Sequence, residues 1–348
     1  MTSIRPPLQL LSACVLLAAF GGAGLAQAQT ASDDSSLTWH GITLYGIVDL
    51  GVQYDTHSAP FSDYFPAGSD SLVQKNDYDS PIGLTPSNLS QSRIGLSGNE
   101  PLIGDWSGVF KFETFFNPQS GDLSDAVKSV ALNNGKALTS QTTGVDSSVA
   151  GQLFAGAANI GLASPTYGSF TFGRNVTLLA DGISKYDPMG AAQAFSIIGY
   201  SGTTAGGGDT EDRRLDQSGK YFAQYGWVHL GAMYQFGSSS GATNTGYQLQ
   251  LGASAGDGSI DAYYFKKYDA VSISALSADQ AGELAGLCNP AATVPATPSQ
   301  CYSVSDSLSA TISDNSTFAV MGDYAFGPVK LYAGYEHIDF NNPNNPLA

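Results

Sequence analysis

Residues 104–116, GDWSGVFKFETFF, alternate between two kinds of side chain. One parity is aromatic at Trp106, Phe110, Phe112 and Phe116, whereas the other carries Ser107, Lys111 and Glu113. Successive side chains of a β-strand point to opposite faces of the sheet. The stretch therefore predicts a strand with one aromatic face and one ionic face, which is typical of a strand that separates lipid from water.

The same alternation recurs along the chain and predicts eleven strands, at residues 42–54, 92–98, 104–116, 152–162, 168–175, 217–225, 227–236, 247–255, 259–273, 317–326 and 329–340. Short turns such as 164–167 and 327–328 alternate with long loops at 55–89, 118–148 and 275–315. Outer-membrane barrels have short turns at one rim and long loops at the other. We therefore expect an all-β fold, a transmembrane antiparallel β-barrel.

Residues 1–28 have the three parts of a secretory signal peptide. Arg5 supplies the positive charge, residues 10–20 form an apolar core, and Ala26-Gln27-Ala28 is a cleavage site. The apolar core is too short for a membrane-spanning helix, which needs about 20 residues. We expect an exported chain whose mature barrel domain covers residues 29–348.

The composition also favours a wall that faces lipid. Charged residues make up 13% of the chain, aromatic residues make up 11%, and the formal net charge is −16. Soluble domains carry about twice this share of charged residues. The acidic balance argues against a nucleic-acid partner, because such partners favour a basic surface.

Two cysteines, Cys288 and Cys301, remain in the predicted mature domain, in a segment rich in Pro, Ala and Ser. In an oxidising compartment they could form a disulfide within one loop, and two free thiols are the alternative. No His or further Cys lies near them in the sequence, so we expect no metal site. No motif indicates a cofactor.

Four segments in series resemble the trimeric general porins of Gram-negative outer membranes, in particular the branch typified by Neisseria and Burkholderia. They are ITLYGIVDLGVQY from residue 42, SRIGLSGNEPLIGDWSGVFKFET from 92, YGSFTFGRNVTLLADGISKYDPMG from 167 and DRRLDQSGKYFAQYGWVHLGAMYQFG from 212. The resemblance implies a barrel of about 16 strands that forms homotrimers. Chains of that family end in an aromatic residue and this one ends in Ala348. We therefore expect a chain truncated at its C-terminus; strands hidden in the loops 118–148 and 275–315 are the alternative.

In that family the third extracellular loop folds into the barrel and narrows it, with acidic residues facing a basic wall. The matching loop here is 176–208. The resemblance implies a pore constriction made by the loop acids Asp181 and Asp187 and by the wall arginines Arg93, Arg174 and Arg214. Arg213 is the alternative to Arg214, and Ile47 occupies a position that is often basic in the family. The alternation adds three lumen-facing residues: Asp49, Lys111 and Glu113.

The constriction residues also have a structural interpretation. Arg93 and Arg174 could pair with Glu113 or Asp49 within the wall, since paired charges often serve the fold. Asp181 and Asp187 could instead cap a short helix within the loop.

We expect a passive channel of the outer membrane that admits ions and small hydrophilic solutes, with a mild cation preference because the mature chain is acidic. The expected partners are outer-membrane lipid, identical subunits and the solutes. One alternative is a barrel with a filled lumen that acts as an adhesin or scaffold. It needs bulky inward residues, whereas the predicted inward residues are small and polar: Ser107, Gln248, Gln250 and Ser254. A secreted soluble β-protein that binds glycans is the other alternative. The four histidines are scattered in sequence, and we expect no enzymatic activity.

Overall fold

The computed structural model describes residues 37–56, 80–124, 146, 152–192, 212–237, 245–273 and 310–343. The chain divides into two units, Met1–His40 and Gly41–Ala348. The described part of the first unit contains the short strand β1, Thr38–Trp39. The predicted signal peptide and both cysteines of the predicted mature domain, Cys288 and Cys301, lie outside the described residues.

The second unit is built from strands and one helix. The strands are β2 (Ile42–Ile47), β3 (Leu50–Tyr54), β4 (Ile82–Pro86), β5 (Arg93–Pro101), β6 (Ser107–Phe115), β7 (Ala157–Ser164), β8 (Gly168–Val176), β9 (Arg214–Tyr225), β10 (Val228–Gln235), β11 (Gly246–Ala255), β12 (Gly258–Ile273), β13 (Ala310–Phe326) and β14 (Val329–Asn341). The helix, α1, covers Leu178–Tyr186. Within the described ranges, no helix has the length and apolar character needed to cross a membrane.

The strands form an antiparallel meander. In the second unit the order across the main sheet is β2-β5-β6-β7-β8-β9-β10-β11-β12-β13-β14, and β3 pairs with β4 in a two-stranded sheet. Two-residue turns join several neighbouring strands. The first residue of such a turn is a glycine with positive φ at Gly226 (φ 61°) and Gly327 (φ 56°). Glycine adopts that backbone conformation without steric cost. The predicted turns at 164–167 and 327–328 are confirmed.

The two faces of the sheet differ as the alternation predicts. On β11, Leu249 and Leu251 are 53% and 65% exposed, whereas Gln248, between Tyr247 and Leu249, is 1% exposed. Strand β6 follows the same rule: Phe110 lies opposite Ile160 and Phe112 opposite Leu96. One face, the apolar face, therefore presents exposed aliphatic and aromatic side chains. The other, the polar face, carries α1.

Helix α1 packs on the polar face through its own apolar side. Its residues Leu178, Leu179, Ile183 and Tyr186 share one buried cluster with Leu215, Met233, Tyr263, Phe265, Ala319 and Met321 of the strands. The prediction that inward residues are small and polar is therefore wrong for this part of the wall. The bulky residues are present because a helix with an apolar side needs an apolar surface to cover it.

Several predicted element boundaries are also wrong. The predicted strand 152–162 begins only at Ala157. The predicted strand 42–54 is two strands, because β3 leaves the main sheet and pairs with β4, with Val52 opposite Leu84. Strand β4 lies in the predicted loop 55–89, although Ile82 and Leu84 already show the alternation. Strand β13 begins at Ala310, inside the predicted loop 275–315.

Candidate functional site

A cavity of about 650 Å³ lies between α1 and the polar face of β6–β12. Its lining is largely polar and includes three lysines and one carboxylate: Lys111, Lys185, Lys220 and Asp181. Hydroxyl and amide groups such as those of Ser254 and Gln250 complete the wall. The helix therefore borders a space that suits water and small polar molecules.

Glu113 is the centre of one charged cluster on the wall. Its side chain is 4% exposed, and its Oε2 lies 3.8 Å from Arg93 Nε and 3.3 Å from Lys111 Nζ. Tyr45 OH donates to the same oxygen at 3.0 Å. The pair between Arg93 and Glu113 agrees with the structural interpretation of Arg93 given above. The side chain of Lys111 is 43% exposed.

Arg174 and Arg214 lie on neighbouring strands, β8 and β9. Arg174 is 8% exposed, its Nη1 lies 2.5 Å from Asp216 Oδ1, and its Nε donates to the Ala155 carbonyl at 2.9 Å. Arg214 Nε donates to the Gly156 carbonyl at 2.7 Å, and its guanidinium lies 4.7 Å from the centre of the Phe115 ring.

The three predicted wall arginines lie close to one another. Arg174 and Arg214 donate to the carbonyls of the consecutive residues Ala155 and Gly156. Arg93 lies opposite Phe115 in the pairing of β5 with β6, and the Arg214 guanidinium lies over the same ring. The structure therefore brings Arg93, Arg174 and Arg214 together.

Asp181 is carried by the first turn of α1, which Thr177 caps through a bond from the Ala180 amide. Its carboxylate is 56% exposed and lies 2.5 Å from Lys220 Nζ. Lys220 also donates to the Val176 carbonyl at 2.9 Å. Sequence reasoning missed Lys220, although its inward parity on β9 could have indicated it.

The carboxylates of Asp187 and Asp49 bind backbone amides. Asp187 follows α1, is 6% exposed, and accepts from the amides of Met189 at 3.2 Å and Ala191 at 2.6 Å. Asp49 accepts from the amides of Leu89 and Ser90 at 2.6 and 2.7 Å. Both carboxylates therefore fix the backbone conformation of the segments that they bind.

A second cluster, also missed, joins the last turn of α1 to the wall. Asp261 of β12 lies at its centre, with a side chain that is 0% exposed. It accepts bonds from Lys185 and Tyr186 of α1 and from His229 and Gln250 of the wall. Burial raises the pKa of the Tyr186 hydroxyl, and the bond to Asp261 acts in the same direction.

A third cluster surrounds Asp146, which lies outside the strands. Its Oδ2 is 2.5 Å from Lys267 Nζ, and its Oδ1 accepts from the Asp216 amide at 2.8 Å. Gln235 donates to both oxygens. Burial acts to raise the pKa of Asp146, but the charge and hydrogen bond of Lys267 outweigh it and hold the pKa below its usual value.

Residues 13–346 match the family model described as Gram-negative porin. The chain belongs to the Gram-negative porin family. This porin is an outer-membrane protein with a transmembrane antiparallel β-barrel fold.

One curated relative is an outer membrane porin protein of Bordetella pertussis (strain Tohama I). It is 31% identical to this porin over 189 residues, which are 54% of this chain and 39% of the relative. The matched part thus spans about two fifths of the relative's length. This alignment supports the family assignment.

Two solved outer-membrane proteins match much of this chain. The first is the loop L8 deletion mutant of OmpT from Vibrio cholerae, with 17% identity, coverage of 88% of this chain and 71% of that chain, and a TM-score of 0.47. The second is Salmonella typhi OmpF in complex with daunomycin, with 16% identity, coverage of 85% and 65%, and a TM-score of 0.47.

Proposed function

We propose that this porin forms a water-filled channel through which ions and small hydrophilic solutes diffuse passively. One observation carries the proposal: a helix lies on the polar face beside a cavity of about 650 Å³ with polar and charged lining, while the opposite face is apolar. A wall that meets lipid on one side and water on the other is the requirement for such a channel.

The constriction in this proposal is the loop 176–208, whose described part contains α1. Asp181 stands on the loop side, and the cations Arg93, Arg174, Arg214 and Lys220 stand on the wall. Arginine stays charged at any working pH. The opposed charges hold a transverse field that orients dipolar solutes and selects ions by sign. Asp187 contributes by fixing the turn after α1.

The mature domain, 29–348, is proposed to assemble as a homotrimer in contact with outer-membrane lipid, as general porins do. Migration on an unheated detergent gel, compared with the heated sample, measures this assembly. A monomer in the unheated sample contradicts the trimer and leaves the channel proposal standing.

A filled-lumen barrel that acts as an adhesin or scaffold is the second candidate. The buried cluster around α1 favours it, because Met233, Tyr263 and Phe265 fill part of the polar face. The cavity beside that cluster favours the channel.

Planar-bilayer recording of the purified full chain decides between the two candidates. A channel gives discrete conductance steps, and liposomes that contain it swell in small sugars. A filled barrel inserts into the bilayer without steps and leaves the liposomes unchanged. Folding is monitored in both cases by heat-modifiable migration, so that a failure to insert is recognised.

A further inference from the structure

The last turn of α1 is attached to the wall by polar contacts in addition to its apolar packing. Lys185 Nζ donates to Asp261 Oδ2 at 2.9 Å and to Ser259 Oγ at 2.8 Å. Tyr186 OH donates to the same carboxylate oxygen and lies 2.7 Å from Ser259 Oγ. Two neighbouring helix residues therefore reach the same two wall residues of β12.

Asp261 is held from both sides. Its Oδ2 receives the two helix donors, whereas its Oδ1 receives His229 Nδ1 at 2.8 Å and Gln250 Nε2 at 3.0 Å from β10 and β11. A carboxylate only accepts, so the imidazole is the donor at Nδ1. His229 Nε2 lies 2.7 Å from Ser254 Oγ, which fixes the ring. One oxygen thus binds the wall and the other binds the helix.

The burial of Asp261 makes the helix contacts costly to lose. Its side chain is 0% exposed, and a buried charge that loses its partners is strongly destabilising. Undocking of the last turn removes the Lys185 ammonium and the Tyr186 hydroxyl together. The docked position of α1 is therefore favoured over positions that satisfy only its apolar side.

We propose that Asp261 is the positioning residue of the constriction, through its bonds to Lys185 and Tyr186. Asp181 lies one turn before Lys185, on the same side of the helix, and faces Lys220 at 2.5 Å. The anchor at one end of α1 thus sets the depth and rotation of the charge at the other end. This inference rests on the proposed channel function.

The competing explanation is that apolar packing against the strands alone holds α1 in position. Gly182 packs directly against Tyr263, since a Cβ at Gly182 would meet that side chain. If apolar packing alone holds α1, removal of the polar bonds changes the free energy of unfolding but leaves α1 in a single position. The number of conductance levels separates the two explanations.

The test compares Asp261→Asn, Lys185→Met and Lys185→Arg in planar bilayers. Loss of the anchor is expected to replace the single open level with several levels in the first two variants. Lys185→Arg retains charge and donors and is expected to keep one level. Asp314→Asn is the matched control, because Asp314 of β13 is also a buried aspartate of the wall and accepts from the Asp269 amide at 2.8 Å. A single wild-type level in Asp261→Asn overturns the proposal.

Trypsin supplies a readout that does not depend on conduction. Cleavage after Lys185 is expected to be several-fold faster in Asp261→Asn than in wild type or Asp314→Asn. If the wild type does not conduct, the channel function fails while the cleavage rates still decide the anchor. If Asp261→Asn does not fold, Tyr186→Phe removes only the Tyr186 hydroxyl, with its contacts to Asp261 and Ser259, and carries the same test. Equal cleavage rates in the folded variants overturn the anchor.

Discussion

At the scale of single residues, neighbouring positions on β6 meet different media. Phe112 lies on the apolar face opposite Leu96 and contacts Phe154, with ring centres 5.1 Å apart. Lys111, the preceding residue, lines the cavity. A shift of one residue in register would exchange the two environments, so the aromatic residues also fix the register of this strand.

Replacement of Phe112 by Arg therefore tests the facing of the wall. The variant places a charge in lipid and is expected to lose about 2–4 kcal/mol of unfolding free energy if the site is near the bilayer midplane. Urea unfolding in lipid vesicles measures the loss. Gln224→Arg is the control, since Gln224 lines the cavity and its replacement is expected to change little. Equal losses in the two variants contradict the assignment of the faces.

The buried pair of Asp146 and Lys267 gives a second prediction. Lys267 is 4% exposed, so Asp146→Asn leaves a buried cation without its counter-charge. Removing one partner of such a pair costs about 3–5 kcal/mol. Thermal or urea unfolding measures the loss, and Lys267→Met in the same chain is expected to recover most of it. A loss that persists in the double variant shows that Asp146 acts through Gln235 and the Asp216 amide instead.

The same pair predicts a dependence on pH. The pKa of Asp146 is lower in the folded state than its usual value, so its contribution is fully present above the usual value of about 3.9. It is lost as the pH falls through the folded value. The stability difference between wild type and Asp146→Asn is therefore expected to be constant from neutral pH down to about pH 5 and to shrink only in stronger acid. A difference that already declines between pH 7 and 5 contradicts this prediction.

At the scale of elements, α1 depends on a close approach to β12. A Cβ at Gly182 would meet the Tyr263 side chain, and overpacking of this kind costs about 1–3 kcal/mol. Gly182→Ala is therefore expected to destabilise the chain, although Ala is the better helix former by up to about 1 kcal/mol. Unfolding in urea measures the change. Ser184→Ala, on the exposed side of α1, is expected to be neutral or stabilising, and the same response in Gly182→Ala contradicts the packing argument.

The elements also show what the sequence predicts and what it does not. A period of two is visible without knowledge of neighbours, so the strands of the main sheet are predicted with errors of a few residues at their ends. Strand β4 has only five residues, too few for its alternation to stand out within a polar segment. Helix α1 packs on apolar residues from four different strands. The local sequence of the helix does not contain this information, so it does not predict the helix.

The charged clusters are also predicted only in part. The resemblance predicts Arg93, Arg174 and Arg214 as constriction residues, and the structure places them close together, beside Phe115 and the carbonyls of Ala155 and Gly156. The ion-pair partners of Arg174, Asp181 and Lys185 are Asp216, Lys220 and Asp261. Strand pairing and the docking of α1 bring these pairs together. The parity of the three partners marks them as inward, but their contacts follow from register, which local sequence does not specify.

At the scale of the whole molecule, two features are expected to set ion selectivity: the formal charge of −16 and the mixed charges near α1. An acidic channel raises the local concentration of cations. Wall lysines and arginines oppose this effect near α1, where Asp181 is 56% exposed and is the carboxylate that lines the described cavity. Because the two effects oppose each other, we expect a small selectivity that a single charge can shift.

The reversal potential in a salt gradient across a planar bilayer measures that balance. We expect a mild preference of the wild type for cations, larger at low ionic strength because salt screens the charges. Asp181→Asn removes a negative charge from the constriction and is expected to shift the potential towards anions. Asp339→Asn is the control, since Asp339 is 63% exposed and pairs with His337 on β14. A clear anion preference in the wild type contradicts the net-charge argument. An unchanged potential in Asp181→Asn shows that the ions do not pass this carboxylate.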